Sequence, residues 1–211
     1  MKAFQKLLLA NKSWAAEQQE EDPTFFTKMA EGQKPEFLWI GCADSRAPAD
    51  RITGTEPGHI FVHRNVANLV LHTDFNMLSV LQYAVEVLKV KHIMVVGHYG
   101  CGGVKAAMTN DDLGLINKWI RNIKDVYEKN HDELEAIKDD EKRTDRLCEL
   151  NVLAQVDSLL KTTIIQKSWK STDYPSVHGC ILELTSGRIR QLIQVEPKDL
   201  SSIPNIYKYE V

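Results

Sequence analysis

The sequence contains no long apolar run. A membrane-spanning helix needs about 18 or more consecutive apolar residues, whereas the apolar run near the amino terminus, Leu7–Ala10, has only four. That run is also shorter than the apolar core of a secretory signal peptide, which is about 7 to 15 residues long. We therefore expect a cytoplasmic protein that has no membrane as a partner.

The chain also lacks an excess of positive charge. Its 26 Lys and Arg residues and 29 Asp and Glu residues give a formal net charge of −3. Nucleic-acid binding depends on a basic surface, so nucleic acid is not expected as a partner. Hydrophobic residues make up 43% of the 211 positions, which is typical of a globular protein with a substantial core.

No internal repeat, low-complexity tract or Gly/Ser-rich linker divides the chain. We therefore predict a single domain over residues 1–211. Residues 1–32 are predicted to form helices with little local apolar sequence to pack on, so we expect them to pack on a partner subunit in a homodimer or homotetramer. The alternative is that they fold back on their own chain. The apolar residues at helical spacing are Phe4, Leu7, Leu8 and Trp14.

Short apolar runs without polar alternation predict strands that are buried on both faces. Such strands are typical of a parallel sheet with helices packed on it. The pattern is largely helical from Gly102 to Trp169, and His178–Val195 predicts a closing β-hairpin. The fold class is therefore α/β: a mainly parallel central sheet with an antiparallel edge strand, flanked by α-helices, with an N-terminal helical arm. The apolar runs are Phe37–Ile40, Ile60–Val62 and Ile93–Val96.

Cysteines are few, and two of the four come directly after predicted strands. Cys42 follows the first apolar run, and His98-Tyr99-Gly100-Cys101 follows the third. The carboxyl ends of parallel strands meet at one edge of a sheet, so these side chains should lie together. Two thiolates and an imidazole suit zinc, and three protein ligands leave the fourth position that catalytic sites keep open. On these residues alone, unligated core thiols and a buried histidine remain an alternative.

Charged and small residues accompany the predicted ligands. Asp44 and Arg46 follow Cys42 by two and four positions, and bidentate Arg–carboxylate pairing is a strong, orienting interaction. Most isolated Asp–Arg pairs are structural, but this one would lie within reach of an open metal position. Gly102 and Gly103 begin a helix whose N–H groups face the same site.

Taken together, these motifs closely resemble those of the β-class carbonic anhydrases of bacterial type. The resemblance rests on Cys42-x-Asp44-x-Arg46 and on His98-x-x-Cys101-Gly-Gly. It implies one Zn²⁺ per subunit, held by the two cysteines and the histidine, with Asp44 and Arg46 as a catalytic dyad. It also implies a reaction, the reversible hydration of carbon dioxide to bicarbonate and a proton by zinc-bound hydroxide.

The resemblance further implies a small substrate pocket, part of which is supplied across a dimer interface. A mostly apolar pocket with one amide suits carbon dioxide. From the residues alone, the apolar members could be ordinary core residues and the glutamine a surface residue. The pocket residues are Gln33, Phe61, Val66, Tyr83 and Gly102.

In this family the fourth zinc position is taken either by water or by the carboxylate that corresponds to Asp44. The arginine that corresponds to Arg46 holds the carboxylate away in the open state. We therefore expect Arg46 to open the site by withdrawing Asp44, and low pH to favour the closed state.

Some bacterial relatives also have a second, non-catalytic bicarbonate site that stabilises the closed state. Its tryptophan and arginine match Trp39 and Arg64, but Leu182 stands where a tyrosine is usual. The resemblance thus predicts a regulatory site that lacks one hydroxyl. Alternatively, Trp39 is a core residue and Arg64 a structural ion-pair partner.

Other functions fit parts of the sequence. Related enzymes hydrolyse carbon disulfide or carbonyl sulfide with similar zinc ligands. A non-catalytic interaction domain stabilised by zinc would need four permanent protein ligands. A redox thiol protein is disfavoured because Cys42 and Cys101 do not form a Cys-x-x-Cys pair.

Overall fold

The computed structural model describes residues 2–210, so the predicted domain is described except for its first and last residues. The described chain divides into two compact units, with the boundary between Lys34 and Pro35. The N-terminal unit consists of two helices, α1 (Ala3–Glu21) and α2 (Phe25–Ala30).

The two N-terminal helices contact each other through aromatic side chains. The Trp14 ring lies edge-on to the rings of Phe25 and Phe26, with centroid distances of 6.2 and 5.9 Å. Trp14 therefore packs within its own unit, although the sequence pattern offered little for it to pack on. The apolar residues at the start of α1 remain exposed, with Phe4 at 69% and Leu7 at 63%.

The second unit is built on a five-stranded sheet with the strand order β2-β1-β3-β4-β5. Strands β1 to β4 run parallel, and β5 is antiparallel to β4 at the edge. The predicted mainly parallel sheet with an antiparallel edge strand is confirmed. The strands are β1 (Phe37–Cys42), β2 (Ile60–Asn65), β3 (His92–His98), β4 (Ser176–Glu183) and β5 (Arg188–Val195).

Helices connect and cover these strands. Asp74 begins α4, because its carboxylate accepts hydrogen bonds from the N–H groups of Asn76 and Met77, as an N-cap residue does. A π-helix over Tyr83–Leu88 continues α4. Within residues 2–210, every helix is too short or too polar to span a bilayer. The helices are α3 (Ala49–Thr53), α4 (Phe75–Gln82), α5 (Gly102–Ala107), α6 (Ile116–Lys129), α7 (His131–Ala136), α8 (Asp140–Leu160) and α9 (Thr163–Ser171).

The core lies on both faces of the sheet. Alternate residues of a strand point to opposite faces, and accordingly Leu38 and Ile40 belong to the larger core cluster and Trp39 to the smaller one. Cys148 and Cys180 are buried at 2% and 3% exposure. The strong burial of β1 and β3 explains why Phe37–Ile40 and Ile93–Val96 read as continuous apolar runs. The prediction of burial on both faces is wrong for Ile60–Val62, because β2 is an edge strand and Val62 is 43% exposed.

The strand order creates a crevice at one edge of the sheet. The chain leaves β1 for β2 on one side and then crosses to β3 on the other side, so the loops after β1 and β3 diverge. Ligand sites in open α/β sheets form at such points. Cys42 is the last residue of β1 and His98 the last residue of β3, so the topology brings them to this crevice.

Helix α8 lies close against β3 because Gly97 has no side chain. A Cβ atom placed on Gly97 would lie 2.6 Å from Cγ2 of Val152, well inside van der Waals contact. Val152 is fully buried, so it has little room to move. The glycine before His98 therefore sets how closely α8 approaches the crevice.

We predict that Gly97→Ala destabilises the fold by about 1–3 kcal/mol, the usual cost of overpacking a core. The measurement is the free energy of unfolding from urea denaturation. Val152→Ala removes the clashing methyl group, so the double variant should be less destabilised than the sum of the two single variants. Strictly additive losses would contradict this packing explanation.

Candidate active site

Three side chains with metal-ligating atoms meet in the crevice. The Sγ atoms of Cys42 and Cys101 and the ring nitrogens of His98 form a group whose ligand atoms all lie within 4.8 Å of one another. All three residues are buried. The two sulfur atoms are 3.9 Å apart, and two thiolates bound to a tetrahedral zinc ion at 2.3 Å each lie about 3.8 Å apart. The spacing therefore fits zinc.

The imidazole of His98 is oriented for metal binding. Its Nδ1 lies 2.9 Å from the main-chain carbonyl oxygen of Tyr99. A carbonyl oxygen only accepts, so Nδ1 carries the proton and Nε2 presents a lone pair. Nε2 is buried, and within residues 2–210 it has no hydrogen-bond partner. An unpaired buried polar atom is costly, and a metal ion bound at Nε2 removes that cost.

The thiols are electrostatically coupled. Contact with the Cys101 thiol and a hydrogen bond from the Ala67 N–H, which lies 3.4 Å from the sulfur, hold the pKa of Cys42 below its ordinary value. A Cys42 thiolate in contact with Cys101, together with burial, raises the pKa of Cys101. One thiolate thus forms readily, and a second one needs a compensating cation. A divalent metal ion meets this requirement.

A carboxylate is fixed beside this cluster. Asp44 Oδ1 accepts hydrogen bonds from the N–H and Nε of Arg46 at 3.0 and 2.9 Å, and Oδ2 accepts one from Nη2 at 2.6 Å. Arg46 holds the pKa of the Asp44 carboxyl well below its usual range. Asp44 Oδ2 also lies 3.7 Å from Nε2 of His98. The carboxylate is therefore ionised, bound to Arg46 and adjacent to a metal-ligating atom.

Arg64 holds the main chain of the first ligand loop. Its Nε donates to the carbonyl oxygen of Cys42 at 2.9 Å, and its Nη2 donates to the carbonyl oxygen of Asp44. Trp39 is 1% exposed, and its Nε1 has no hydrogen-bond partner among residues 2–210. Leu182 is also buried and offers no hydroxyl. In the predicted bicarbonate site, the Trp39 N–H is thus an unpaired donor, whereas Arg64 already binds two carbonyl groups. The regulatory site stays a prediction.

The predicted pocket residues are only partly brought together. The rings of Phe61 and Tyr83 lie 5.8 Å apart. Val66 and Tyr83 are 37% and 45% exposed, so their alternative interpretation as core residues does not hold. Gly102 is exposed at the first position of α5, and Gln33 is exposed in the N-terminal unit.

Two buried amides that sequence reasoning missed support the loop after β2. Asn151 Nδ2 donates to the carbonyl oxygen of Ala67 at 3.0 Å, and Gln155 Nε2 donates to Asn151 Oδ1 at 2.9 Å. Ala67 has a φ of +64°, which is unfavourable for a residue with a Cβ. These amides hold it there, where its N–H contacts the Cys42 sulfur. The signal in the sequence was two amides four positions apart within an apolar helical stripe.

Comparison with known proteins agrees with this geometry. Residues 37–189 match the carbonic anhydrase family. A carbonic anhydrase of Emericella nidulans is 48% identical over 202 residues, which cover 96% of this chain and 89% of that protein.

Solved structures agree as well. The β-carbonic anhydrase CafA of Aspergillus fumigatus has a TM-score of 0.91 at 36% identity, covering 99% of this chain and all of that one. A tetrameric β-carbonic anhydrase of Sordaria macrospora has a TM-score of 0.88 at 40% identity, covering 91% of this chain and 98% of that one. The bacterial type stays a prediction, because these comparisons do not distinguish it. The chain belongs to the β-carbonic anhydrase family and is a zinc-dependent lyase.

Proposed function

We propose that this chain catalyses the reversible hydration of carbon dioxide to bicarbonate and a proton, with one zinc ion per subunit. The observation that carries the proposal is the buried cluster of Cys42, His98 and Cys101 with the Asp44 carboxylate fixed beside it. Bound zinc supplies a Lewis acid, which lowers the pKa of a water molecule enough to make it a nucleophile near neutral pH.

The site residues have separate roles in binding the metal and in orienting the water molecule. The thiolates of Cys42 and Cys101 and the Nε2 atom of His98 would hold the metal and would leave a position for a fourth ligand. Asp44 stays ionised, so it acts as a hydrogen-bond acceptor that orients the attacking water. Arg46 keeps the carboxylate in place through its bidentate contact. Orientation of this kind lowers the barrier because the reacting atoms are aligned before the reaction.

The substrate is proposed to be carbon dioxide, rather than carbon disulfide or carbonyl sulfide. Phe61, Val66 and Tyr83 offer apolar surface for a small uncharged molecule, and the relatives that match along most of the chain are named carbonic anhydrases. A direct comparison of carbon dioxide hydration with sulfide release separates the two activities.

We also propose that Arg46 controls the fourth metal position. Its guanidinium binds both carboxylate oxygens of Asp44 and is itself 60% exposed, so its own charge stays solvated on release. The carboxylate is only 17% exposed and would then take the metal as its new partner. Without Arg46, the Asp44 carboxylate would be free to bind the metal and exclude water.

Assembly and compartment complete the proposal. The exposed apolar residues at the start of α1 fit a homodimer or homotetramer, in which this helix packs on a partner subunit. The Sordaria macrospora relatives are tetrameric, which supports an oligomer. All four cysteines, each within the described residues, lie outside disulfides, which suits the reducing cytoplasm.

The first test replaces a ligand. We expect Cys42→Ser to lose bound zinc and to reduce carbon dioxide hydration by at least about 100-fold, because the thiolate is the metal ligand. Stopped-flow hydration and elemental zinc analysis measure the two effects. The matched control is Cys180→Ser, which also places a hydroxyl at a buried position but lies in the core on the other face of the sheet. It should keep its zinc. Wild-type levels of zinc and activity in Cys42→Ser would contradict the proposal.

The second test addresses the fourth position. We expect Arg46→Ala to reduce hydration about 100-fold and to weaken azide binding at least about tenfold, because azide competes with the released carboxylate for the metal. Titration calorimetry of the zinc-loaded protein measures azide binding. The double variant Asp44→Ala/Arg46→Ala should regain azide affinity but not activity.

Arg51→Ala, at an exposed position on α3, is the matched control for the loss of a nearby arginine and should leave both measurements unchanged. Azide binding by Arg46→Ala as tight as that of the wild type would show that the carboxylate does not compete for the metal.

The third test concerns assembly. We expect Leu7→Glu to dissociate the oligomer, because a charge at an apolar interface is costly to desolvate. Sedimentation velocity reports the mass of the particle. Gln19→Glu, at an exposed polar position of the same helix, should leave the mass unchanged. An unaltered mass for Leu7→Glu would remove this part of α1 from the interface.

A further inference from the structure

Tyr99 lies between two metal-ligating residues, and its side chain ends in a charged network that the proposed mechanism does not use. The Tyr99 hydroxyl donates to Glu149 Oε1 at 2.5 Å and accepts from Arg190 Nη2 at 2.5 Å. Arg190 Nη2 also donates to Glu149 Oε1 at 2.5 Å, and Arg146 Nη1 donates to Glu149 Oε2 at 2.7 Å. Three side chains thus converge on one carboxylate of α8.

The main chain of Tyr99 contacts the metal site directly. Its carbonyl oxygen accepts the proton of His98 Nδ1 at 2.9 Å, and its N–H donates to the carbonyl oxygen of Leu182 at 3.1 Å. The acceptor of a ligating histidine fixes the orientation of its ring. The direction of His98 Nε2 therefore depends on where the Tyr99 carbonyl is held.

Helix α8 also contacts the next residue of the same loop. Asp145 Oδ1 accepts from the N–H of Gly100 at 3.4 Å. Gly100 has a φ of +64°, a conformation that favours glycine. Asp145 and Glu149 are four positions apart, and so lie on one face of the helix. That face holds the loop between His98 and Cys101 at two consecutive residues.

The burial of this network indicates that it fixes the position of the Glu149 carboxylate more than it stabilises the fold. The side chain of Glu149 is 15% exposed, whereas those of Arg190 and Arg146 are 58% and 34% exposed. Ion pairs of exposed arginines contribute little to stability. A largely covered carboxylate with several charged or hydroxyl donors, by contrast, has a fixed position.

We propose that Glu149, together with Arg190, is a positioning residue for the zinc site. It fixes the hydroxyl of Tyr99, thereby the Tyr99 carbonyl, and thereby the direction of His98 Nε2. This inference rests on the zinc site of the proposed function.

The test removes one oxygen atom. We expect Tyr99→Phe to bind zinc about tenfold more weakly, as is usual when the support of a ligand is lost, and to release it correspondingly faster. Chelator competition on the holoenzyme measures both quantities. The thermal midpoint at saturating zinc reports whether the fold is intact, and it should match that of the control variant described next.

The chain offers a matched control. The Tyr127 hydroxyl donates to Glu135, and Arg143 lies 3.6 Å from the same carboxylate. Tyr127→Phe therefore removes the same kind of hydrogen bond without touching the ligand loop, and it should leave zinc affinity unchanged. An equal loss of affinity in both variants would overturn the inference, since it would show only a general structural effect.

A second variant reaches the network from α8. Glu149→Gln should also weaken zinc binding, and combining it with Tyr99→Phe should add little, because both changes break the same path. If wild-type protein binds zinc and both variants bind it equally well, this inference is wrong while the proposed function stands. If wild-type protein itself binds no zinc, the proposed function fails and the inference fails with it.

Discussion

The site depends on the burial of two thiols in contact with each other and with an imidazole. The Cys42 thiol ionises readily because the Cys101 thiol donates to it. The Cys101 thiol then resists ionisation, because two buried thiolates in contact repel each other. A dication satisfies both thiolates and the lone pair of His98 Nε2. The immediate surroundings fit that constraint: Cys42, His98 and Cys101 are buried, and a main-chain N–H supports the Cys42 sulfur. A carboxylate stands beside the cluster and is held by Arg46, outside the ligand set.

Helix α8 carries most of this support. Asn151 and Gln155 hold the strained loop whose N–H contacts the Cys42 sulfur. Glu149, two residues before Asn151 on the same helix, holds the loop between His98 and Cys101. Both loops can be reached from one helix because Gly97 allows close approach to the sheet. Cys42 and His98 come from the ends of strands, which are rigid, and Cys101 comes from the loop between β3 and α5. A single helix supports the loops that orient them.

The arginines near the site act in three different ways. Arg46 is exposed and binds the Asp44 carboxylate, so its own charge stays solvated when that contact breaks. Arg64 binds two carbonyl groups of the first ligand loop and thereby maintains the backbone, whether or not an anion also binds there. Arg190 binds both the Tyr99 hydroxyl of the second ligand loop and the Glu149 carboxylate that accepts from it. Of the three, Arg46 could be singled out from local sequence and Arg64 from the family resemblance, whereas Arg190 could not, because its partners are about 40 and 90 residues away.

The sequence by itself determined the mainly parallel sheet and the meeting of Cys42 and His98 at one edge of it, whereas their assignment as zinc ligands came from the resemblance to a known family. Strands buried on both faces leave continuous apolar runs, and Cys42 and His98 follow two such runs directly, so pattern alone brought them together. The contacts that hold the ligands in place were decided by tertiary structure. The hydrogen bond from Asn151 to Ala67 and that from Tyr99 to Glu149 join residues 84 and 50 positions apart, and no local spacing encodes such pairs. The exposure of Val66 and Tyr83 could not be predicted from the sequence either. The residue type is the same in a core and on a surface, and only the neighbours in the folded chain decide which one it occupies.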